Sequence, residues 1–246
     1  MTRVRLLSAA SLLAALLLAG CGAPPGQPRA GSIELAPNEI VEFGTLYSNN
    51  CAGCHGADGR GGAAIALANP VYLAIVDDGS MRANIAAGVR GTSMPAFAQR
   101  AGGMLTEPQI DALVNGIRSR WSRPAALDGA NPPSYAPTSA GDVHRGEVAY
   151  QTFCRWCHGA EGQGGPKGSA ITHDSFLALT SDQALRTTVI AGRPELGAPD
   201  WRRNAGRPMS EQEVTDVVSW LASHRAAAPG QPYVADRSAS GGSRVE

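Results

Sequence analysis

The sequence has few aromatic residues and no excess of either charge. Of its 246 residues only 5% are Phe, Trp or Tyr, whereas 30 are glycine. A chain this lean in large apolar side chains has little with which to build a core, so we expect another group to fill part of the interior. Lys plus Arg and Asp plus Glu both number 21. This balance excludes the basic field that nucleic-acid binding requires.

Long apolar runs are also missing, apart from one near the start. Leu6–Leu18 follows Arg3 and Arg5 and is too short to span a bilayer comfortably, so residues 1–20 are predicted to be a secretory signal peptide. The run ends in Leu18-Ala19-Gly20-Cys21, which resembles the bacterial lipobox and implies acylation of Cys21. The alternative is an ordinary signal peptide with an incidental cysteine. We therefore expect an exported lipoprotein that is anchored to a membrane surface, faces the periplasm or outer surface, and does not span the membrane.

No cysteine is left over once Cys21 is assigned to lipid. The other four form two pairs, Cys51 with Cys54 and Cys154 with Cys157, and a histidine follows each pair directly.

The chain is an internal duplication. Residues 51–59, CAGCHGADG, match residues 154–162, CRWCHGAEG, at an offset of 103, and residues 71–121 align with residues 175–225 at an offset of 104 without a gap. A single one-residue insertion separates the copies.

We predict two domains, 38–121 and 142–225. A tether at 21–37 precedes them, a linker rich in Pro, Ala, Ser and Gly at 122–141 joins them, and a disordered tail follows at 226–246.

Each copy ends in an amphipathic helix. Its apolar residues follow the i, i+3, i+4, i+7 pattern: Ile110, Leu113, Val114 and Ile117, then Val214, Val217, Val218 and Leu221. Both helices open with a capping box, Thr106 with Gln109 and Ser210 with Glu213. Further helices are predicted to run into each cysteine pair and near Ser80–Ala87 and Ala184–Ala191. Nothing alternates like a half-buried strand, so the predicted fold class is all-α.

Cys-x-x-Cys-His is the attachment motif for c-type haem. On one helical turn the two sulfurs can reach the two vinyl groups of the porphyrin, while the adjacent His55 or His158 reaches the iron. The alternatives are a redox dithiol and a zinc site, either half of one or a single four-thiolate site. The haem interpretation is favoured because both pairs carry the same His-Gly and lie within separate, complete repeats.

The same residues carry a family resemblance. The pattern Tyr-x-x-x-Cys-x-x-Cys-His-Gly-Ala-x-Gly, a later Met-Pro and a capped last helix resemble a class I cytochrome c domain. The tandem arrangement is similar to the two-haem cytochromes c of bacterial respiratory chains. The resemblance implies two covalently bound haem c groups, each wrapped by helices and held by one cysteine pair. It also implies that His55 and His158 are the proximal iron ligands and that redox partners dock at an exposed haem edge.

The sixth iron ligand is expected from the loop before the last helix. In the family a methionine there completes the coordination, and Met94 in Met94-Pro95 matches it. Met81 and Met104 are predicted to serve packing instead.

The second copy departs from this pattern because Ala198 aligns with Met94. Three hypotheses follow. Met209 coordinates after a rearrangement of the loop, although it aligns with Leu105 and would normally pack on Val214. Alternatively His173 or His224 reaches the iron. In the third hypothesis the second haem has an open or water-occupied position that admits CO, NO or peroxide.

The resemblance implies electron transfer in a respiratory or photosynthetic chain. The donor would be a membrane dehydrogenase or quinol-oxidising complex, and the acceptor an oxidase or soluble carrier. Nothing else in the chain is typical of organic catalysis, so an electron carrier rather than an enzyme is expected. One rival is a two-haem peroxidase that uses an open second haem. Another is a haem subunit of a larger membrane redox complex.

Overall fold

A computed structural model describes residues 35–202 and 205–227. The predicted signal peptide, the lipidation site at Cys21, most of the tether and most of the tail lie outside these residues. Residues 35–39 belong to a different compact unit from Ile40 onwards and form a turn in which the Ala36 amide donates to Glu39. The rest of this section concerns the second unit.

The described residues are helical and contain no strand, which confirms the all-α prediction. The first copy contains α1 (Phe43–Asn50), α2 (Ala52–His55), α3 (Pro70–Ile75), α4 (Asp78–Ala87) and α5 (Glu107–Trp121). The second copy contains α6 (Val143–Phe153), α7 (Arg155–His158), α8 (Asp174–Ala178), α9 (Asp182–Ala191) and α10 (Glu211–Ser223). Short 3₁₀ turns at Gln99–Ala101 and Pro194–Leu196 precede the last helix of each copy. No helix in the described part of the chain has the length and apolar character needed to cross a membrane.

The helix boundaries follow from capping. Both predicted capping boxes are formed: the Thr106 and Ser210 side chains accept from the backbone amides of Gln109 and Glu213, whose side chains bond back to the cap amides. These reciprocal bonds satisfy amides that have no partner inside the helix. The cap before α1 is Glu42, whose carboxylate accepts from two backbone amides of the first turn.

The first and last helices of each copy cross closely, and a glycine permits the approach. In the first copy a Cβ added to Gly116 of α5 would lie 2.0 Å from the Phe43 ring of α1. In the second copy a Cβ added to Gly146 of α6 would lie 2.7 Å from the Cβ of Trp220 on α10. Gly146 aligns with Phe43, and Trp220 aligns with Gly116. The aromatic residue and the glycine have therefore exchanged helices between the copies.

The two copies share one hydrophobic core and contact each other through α3 and α9. The buried Asn69 caps α3 with its Oδ1 and donates from Nδ2 to the Ala191 carbonyl at the end of α9, at 2.9 Å. The segment predicted as a linker packs against both copies. The Tyr135 hydroxyl accepts from Asn84 of α4, and the Tyr135 carbonyl accepts from Arg186 of α9.

Candidate functional site

The first cysteine pair lies on a short helix that follows directly from α1. Cys51 separates α1 from α2, and neither Cys51 nor Cys54 forms a disulfide. His55 is buried, and its Nδ1 lies 2.8 Å from the Ile65 carbonyl. The Tyr47 hydroxyl donates to the Gly56 carbonyl at 2.8 Å, so the aromatic residue four positions before the first cysteine anchors the chain just after the histidine.

The second pair repeats this arrangement. Cys154 separates α6 from α7, and neither Cys154 nor Cys157 forms a disulfide. The Nδ1 of His158 lies 2.8 Å from the Ser169 carbonyl, and the Tyr150 hydroxyl donates to the Gly159 carbonyl at 2.6 Å. Sequence reasoning noticed the tyrosines but did not assign this role, and it missed the carbonyls that orient the histidines. His158 is half-buried, whereas His55 is only 7% exposed.

Cys51 and Cys154 do not have the lowered pKa that a reactive cysteine requires. Burial, and next the repulsion from Cys54, raises the pKa of Cys51 to about 11. The same causes, with Cys157 as the neighbour, raise the pKa of Cys154 to about 12. A reactive dithiol needs a lowered thiol pKa. In addition, no group of three or more His, Cys, Asp or Glu side chains within residues 35–202 and 205–227 is placed to hold a metal ion, so the two pairs do not combine into a zinc site.

The residues fit a covalently attached haem at both places. In each motif the histidine Nδ1 is engaged by a backbone carbonyl, which leaves Nε2 as the nitrogen available to a metal and fixes the ring orientation. Burial, with a smaller contribution from the Arg193 guanidinium, lowers the pKa of His55. A neutral imidazole is the form that ligates metals. The two thiols beside each histidine are unpaired.

The loop before α5 presents Met94 in the first copy. Its backbone carbonyl accepts from the Val89 amide at 3.1 Å, and its own amide donates to the Thr92 hydroxyl. The Met94 side chain is half-buried and packs against the core. Met81 is buried as predicted, but Met104 is 77% exposed. The prediction that Met104 serves packing was wrong because it lies in a turn that follows a left-handed glycine, Gly102, on the outside of the loop.

The corresponding loop of the second copy has Ala198 in place of Met94 and a 3₁₀ turn at Pro194–Leu196 that the first loop lacks. The Ala198 carbonyl accepts from the Arg193 amide at 2.9 Å, the counterpart of the Val89–Met94 bond. Further along, the Met209 amide donates to the Trp201 carbonyl at 2.9 Å, as the Leu105 amide does to the Phe97 carbonyl at 2.7 Å. Met209 is 2% exposed and belongs to the core. It therefore takes the packing position of Leu105.

The two histidines proposed as substitute ligands have local roles. His173 is exposed and caps α8, where its Nδ1 contacts the Ser175 hydroxyl and amide. It thus replaces Asn69, which caps α3. His224 lies just after the end of α10, with its Nδ1 donating to the Trp220 carbonyl and its ring against the Trp220 ring at 4.4 Å.

A hydrogen bond joins the first motif to the loop of the second copy. Arg193 donates from Nη2 to the Gly62 carbonyl at 2.9 Å and pairs through Nε with Glu195 at 2.5 Å. Gly62 itself lies against the first motif, since a Cβ added there would be 2.1 Å from the Cys54 carbonyl. Sequence reasoning missed Arg193. The alignment offers one signal. Arg193 stands where the first copy has Val89, so it is a charged residue that only the second copy carries.

Comparison with known proteins agrees with this geometry. Residues 44–121 match the cytochrome c family model, and residues 141–221 match the model for subunit III of cbb3-type cytochrome c oxidase. A CcoP subunit of cbb3-type cytochrome c oxidase from Azospirillum sp. B510 is 31% identical over 131 residues, 49% of this chain and 39% of that protein. The chain thus spans well under half the length of this relative.

Two further proteins match over more of the chain. A cytochrome c subunit of the cytochrome bc1 complex from Mycobacterium bovis is 24% identical over 230 residues, 89% of this chain and 76% of that protein. A solved structure of a reducing HAO-like protein complex from Kuenenia stuttgartiensis covers 78% of this chain and 100% of its own, at 21% identity and a TM-score of 0.44.

The chain belongs to the c-type cytochromes, because each half matches a cytochrome c model and carries its own attachment motif. Within that class it is a two-haem cytochrome, with a covalently bound haem c in each of two tandem helical domains.

Proposed function

We propose that this protein is an electron carrier of a respiratory chain, which takes up and releases one electron at each of two haems. The observation that carries the proposal is the presence of both sites in one packed unit, with the first motif bonded through Gly62 to Arg193 of the second copy. Two redox groups held in this way can exchange electrons within the molecule. Bound haem supplies the one-electron chemistry.

We assign the site residues accordingly. Cys51 and Cys54 hold the first haem, with His55 and Met94 as its iron ligands. The second haem is held by the pair Cys154 and Cys157, with His158 as proximal ligand. The histidine Nδ1–carbonyl bonds support these roles because they aim the opposite ring nitrogen away from the backbone. Domains of residues 38–121 and 142–225 accommodate one site each.

We further propose that the chain is exported and held at a membrane surface by lipid on Cys21. The support is the signal-like run followed by Leu18-Ala19-Gly20-Cys21. A Cys21→Ser variant should appear in the soluble fraction with its haems intact, while the natural chain stays with membranes. Equal membrane retention of both proteins would refute the lipid-anchor proposal. The haem assignment would be unaffected.

The electron-carrier proposal is tested by counting electrons in stopped-flow experiments. The fully reduced protein should deliver two electrons per chain to a one-electron acceptor such as ferricyanide and become reducible again without loss. The Cys51→Ala/Cys54→Ala double variant should deliver one. Delivery of no electrons, or irreversible bleaching of the haems, would contradict the proposal.

Two alternative functions are each supported by a specific observation. Ala198 motivates a two-haem peroxidase, which requires sustained peroxide turnover with a reduced donor. A carrier shows no such turnover. The match over most of the chain to a protein named as a subunit of the cytochrome bc1 complex motivates a role as the haem subunit of a larger assembly. That role requires stable co-purification with a membrane complex under mild detergent.

A further inference from the structure

The two copies differ in the loop that carries Met94 in the first copy and Ala198 in the second. The two loops share one backbone hydrogen bond, but residues Pro194–Leu196 form a 3₁₀ turn and the aligned residues 90–92 do not. The Val89–Met94 bond of the first copy corresponds to the Arg193–Ala198 bond of the second. Gly88 and Gly192 both adopt left-handed φ values, +70° and +66°, and a Cβ on either would strike the following turn, at Met94 and Pro95 or at Ala198 and Pro199.

The shared bond and the preceding glycine place Met94 and Ala198 at the same point of the two loops, so the two side chains can be compared directly. Met94 carries a thioether that is able to ligate iron, whereas Ala198 carries a methyl group that is not. The second copy therefore presents no ligating side chain at the position of Met94.

Met209 is not free to replace the missing ligand. Its amide bond to the Trp201 carbonyl repeats the Leu105–Phe97 bond, and its side chain is 2% exposed in the core. Ser210 next to it caps α10 through a complete capping box, which fixes the residue that precedes the cap. Withdrawal of Met209 would leave a cavity in the core, which destabilises the fold.

The histidines near the second site are held elsewhere. His173 is bound to Ser175 as the cap of α8. His224 lies at the far end of α10, roughly 20 Å from the start of that helix at about 1.5 Å for each of its 13 residues. It borders a groove with Ala160 and Glu161, which follow the proximal motif. His224 therefore lines a groove beside the residues that follow His158, and its Nδ1 is engaged by the Trp220 carbonyl.

We propose that the second haem has no methionine or histidine on its distal side and binds small diatomic ligands of ferrous iron, the class of CO and NO, while Met94 closes the first haem to them. This inference rests on the proposed haem sites. It adds a ligand-binding position beside Ala198 to a protein whose other haem only exchanges electrons.

The test is a titration of the dithionite-reduced full chain with carbon monoxide, counted optically per haem. Haem content is measured separately by the pyridine haemochrome method. The natural protein should bind one CO per two haems. Met94→Ala should bind two, Ala198→Met should bind none, and Met209→Leu, which keeps an apolar side chain of similar size in the core, should still bind one.

Several results would overturn the inference. No CO on the natural protein but one on Met209→Leu would identify Met209 as the ligand. No CO on either would identify another ligand, and two on the natural protein would show that Met94 does not close the first site. One CO on Ala198→Met would show that a thioether at position 198 does not reach the second iron as Met94 reaches the first. A chain without two haems by the haemochrome count would instead contradict the proposed function, so the two failures are distinguishable.

Discussion

The crossing of α6 and α10 provides a sensitive test of the packing. It predicts both the direction and the size of the stability change that Gly146→Ala causes. Ala is a better helix former than Gly by about 1 kcal/mol, so Gly146→Ala should stabilise an isolated helix. In the folded chain the added Cβ would lie 2.1 Å from the Asp216 carbonyl oxygen and 2.7 Å from the Trp220 Cβ. The first of these atoms is backbone, so the helices themselves must separate.

Overpacking of this kind costs about 1–3 kcal/mol, and a contact with backbone belongs at or above the upper end of that range. After subtraction of the propensity gain, Gly146→Ala should destabilise the protein by about 2 kcal/mol. A unit of this size changes its Tm by about 2–4 °C per kcal/mol. We therefore expect the Tm of the haem-loaded protein to fall by about 4–8 °C in differential scanning calorimetry.

The matched control is Gly79→Ala in the exposed first turn of α4. The nearest atom to the added Cβ is the Asp77 Oδ1 at 3.0 Å, and this carboxylate caps α4 by accepting from the Ser80 amide. The contact is with a side chain rather than with backbone and opposes a propensity gain of about 0.5–1 kcal/mol, so the Tm should change by less than about 2 °C. An unchanged or raised Tm for Gly146→Ala would refute the close crossing and the exchange of glycine and aromatic residue between the copies.

Three further predictions concern charged groups. A hydrogen bond from Arg207 is the main cause that lowers the pKa of Glu213 to about 2, so this carboxylate stabilises the fold above pH 4.5 and loses its effect as the pH falls towards 2. The urea midpoint of Glu213→Gln should therefore depend less on pH between 5 and 2. Arg186 is 2% exposed and donates to Glu211 and to backbone carbonyls of the connecting segment. Arg186→Met should cost about 3 kcal/mol by thermal unfolding, whereas Arg207→Met, which removes an exposed ion pair, should cost less than about 1 kcal/mol. Arg193→Met should lower the midpoint potential of the first haem in a spectroelectrochemical titration, because a cation bonded to the loop against Cys54 favours the reduced state. An unchanged potential would show that this charge is screened.

Local patterns made much of the molecule predictable. The attachment motifs, the duplication and the capping boxes each depend on residues a few positions apart, and the structure has both boxes and the helices before each cysteine pair. The equivalence of Ala198 with Met94 also followed from the gapless offset of 104.

Other features of the fold depend on contacts between residues that are far apart in the sequence. An alignment of the two copies compares single positions and does not show such contacts. Arg118 bonds to the carbonyls of Leu73 and Val76 and pairs with Asp78. Arg225 makes the same three contacts with the counterparts of those residues in the second copy. Yet Arg225 aligns with Trp121, and Ala222 aligns with Arg118, so the guanidinium reaches the same place from three residues later on the helix. Long side chains make such replacements possible, and no local pattern reveals them.

The contact between the copies was equally hidden. Asn69 has the ordinary signature of a helix cap, and its second role, donation to the Ala191 carbonyl, appears only when α3 and α9 are brought together. For the same reason the segment at 122–141, whose composition predicted a linker, could not be recognised as a packed connection held by Arg186 and Asn84.

The central claim is that one chain holds two inequivalent haems that exchange electrons reversibly, and an optical redox titration of the purified full chain tests it most directly. Methionine ligation raises a haem potential relative to a site without it. We predict two reversible one-electron transitions, the more positive of which moves to lower potential in Met94→Ala. A single transition accounting for both haems at one potential, or reduction that cannot be reversed, would contradict the account.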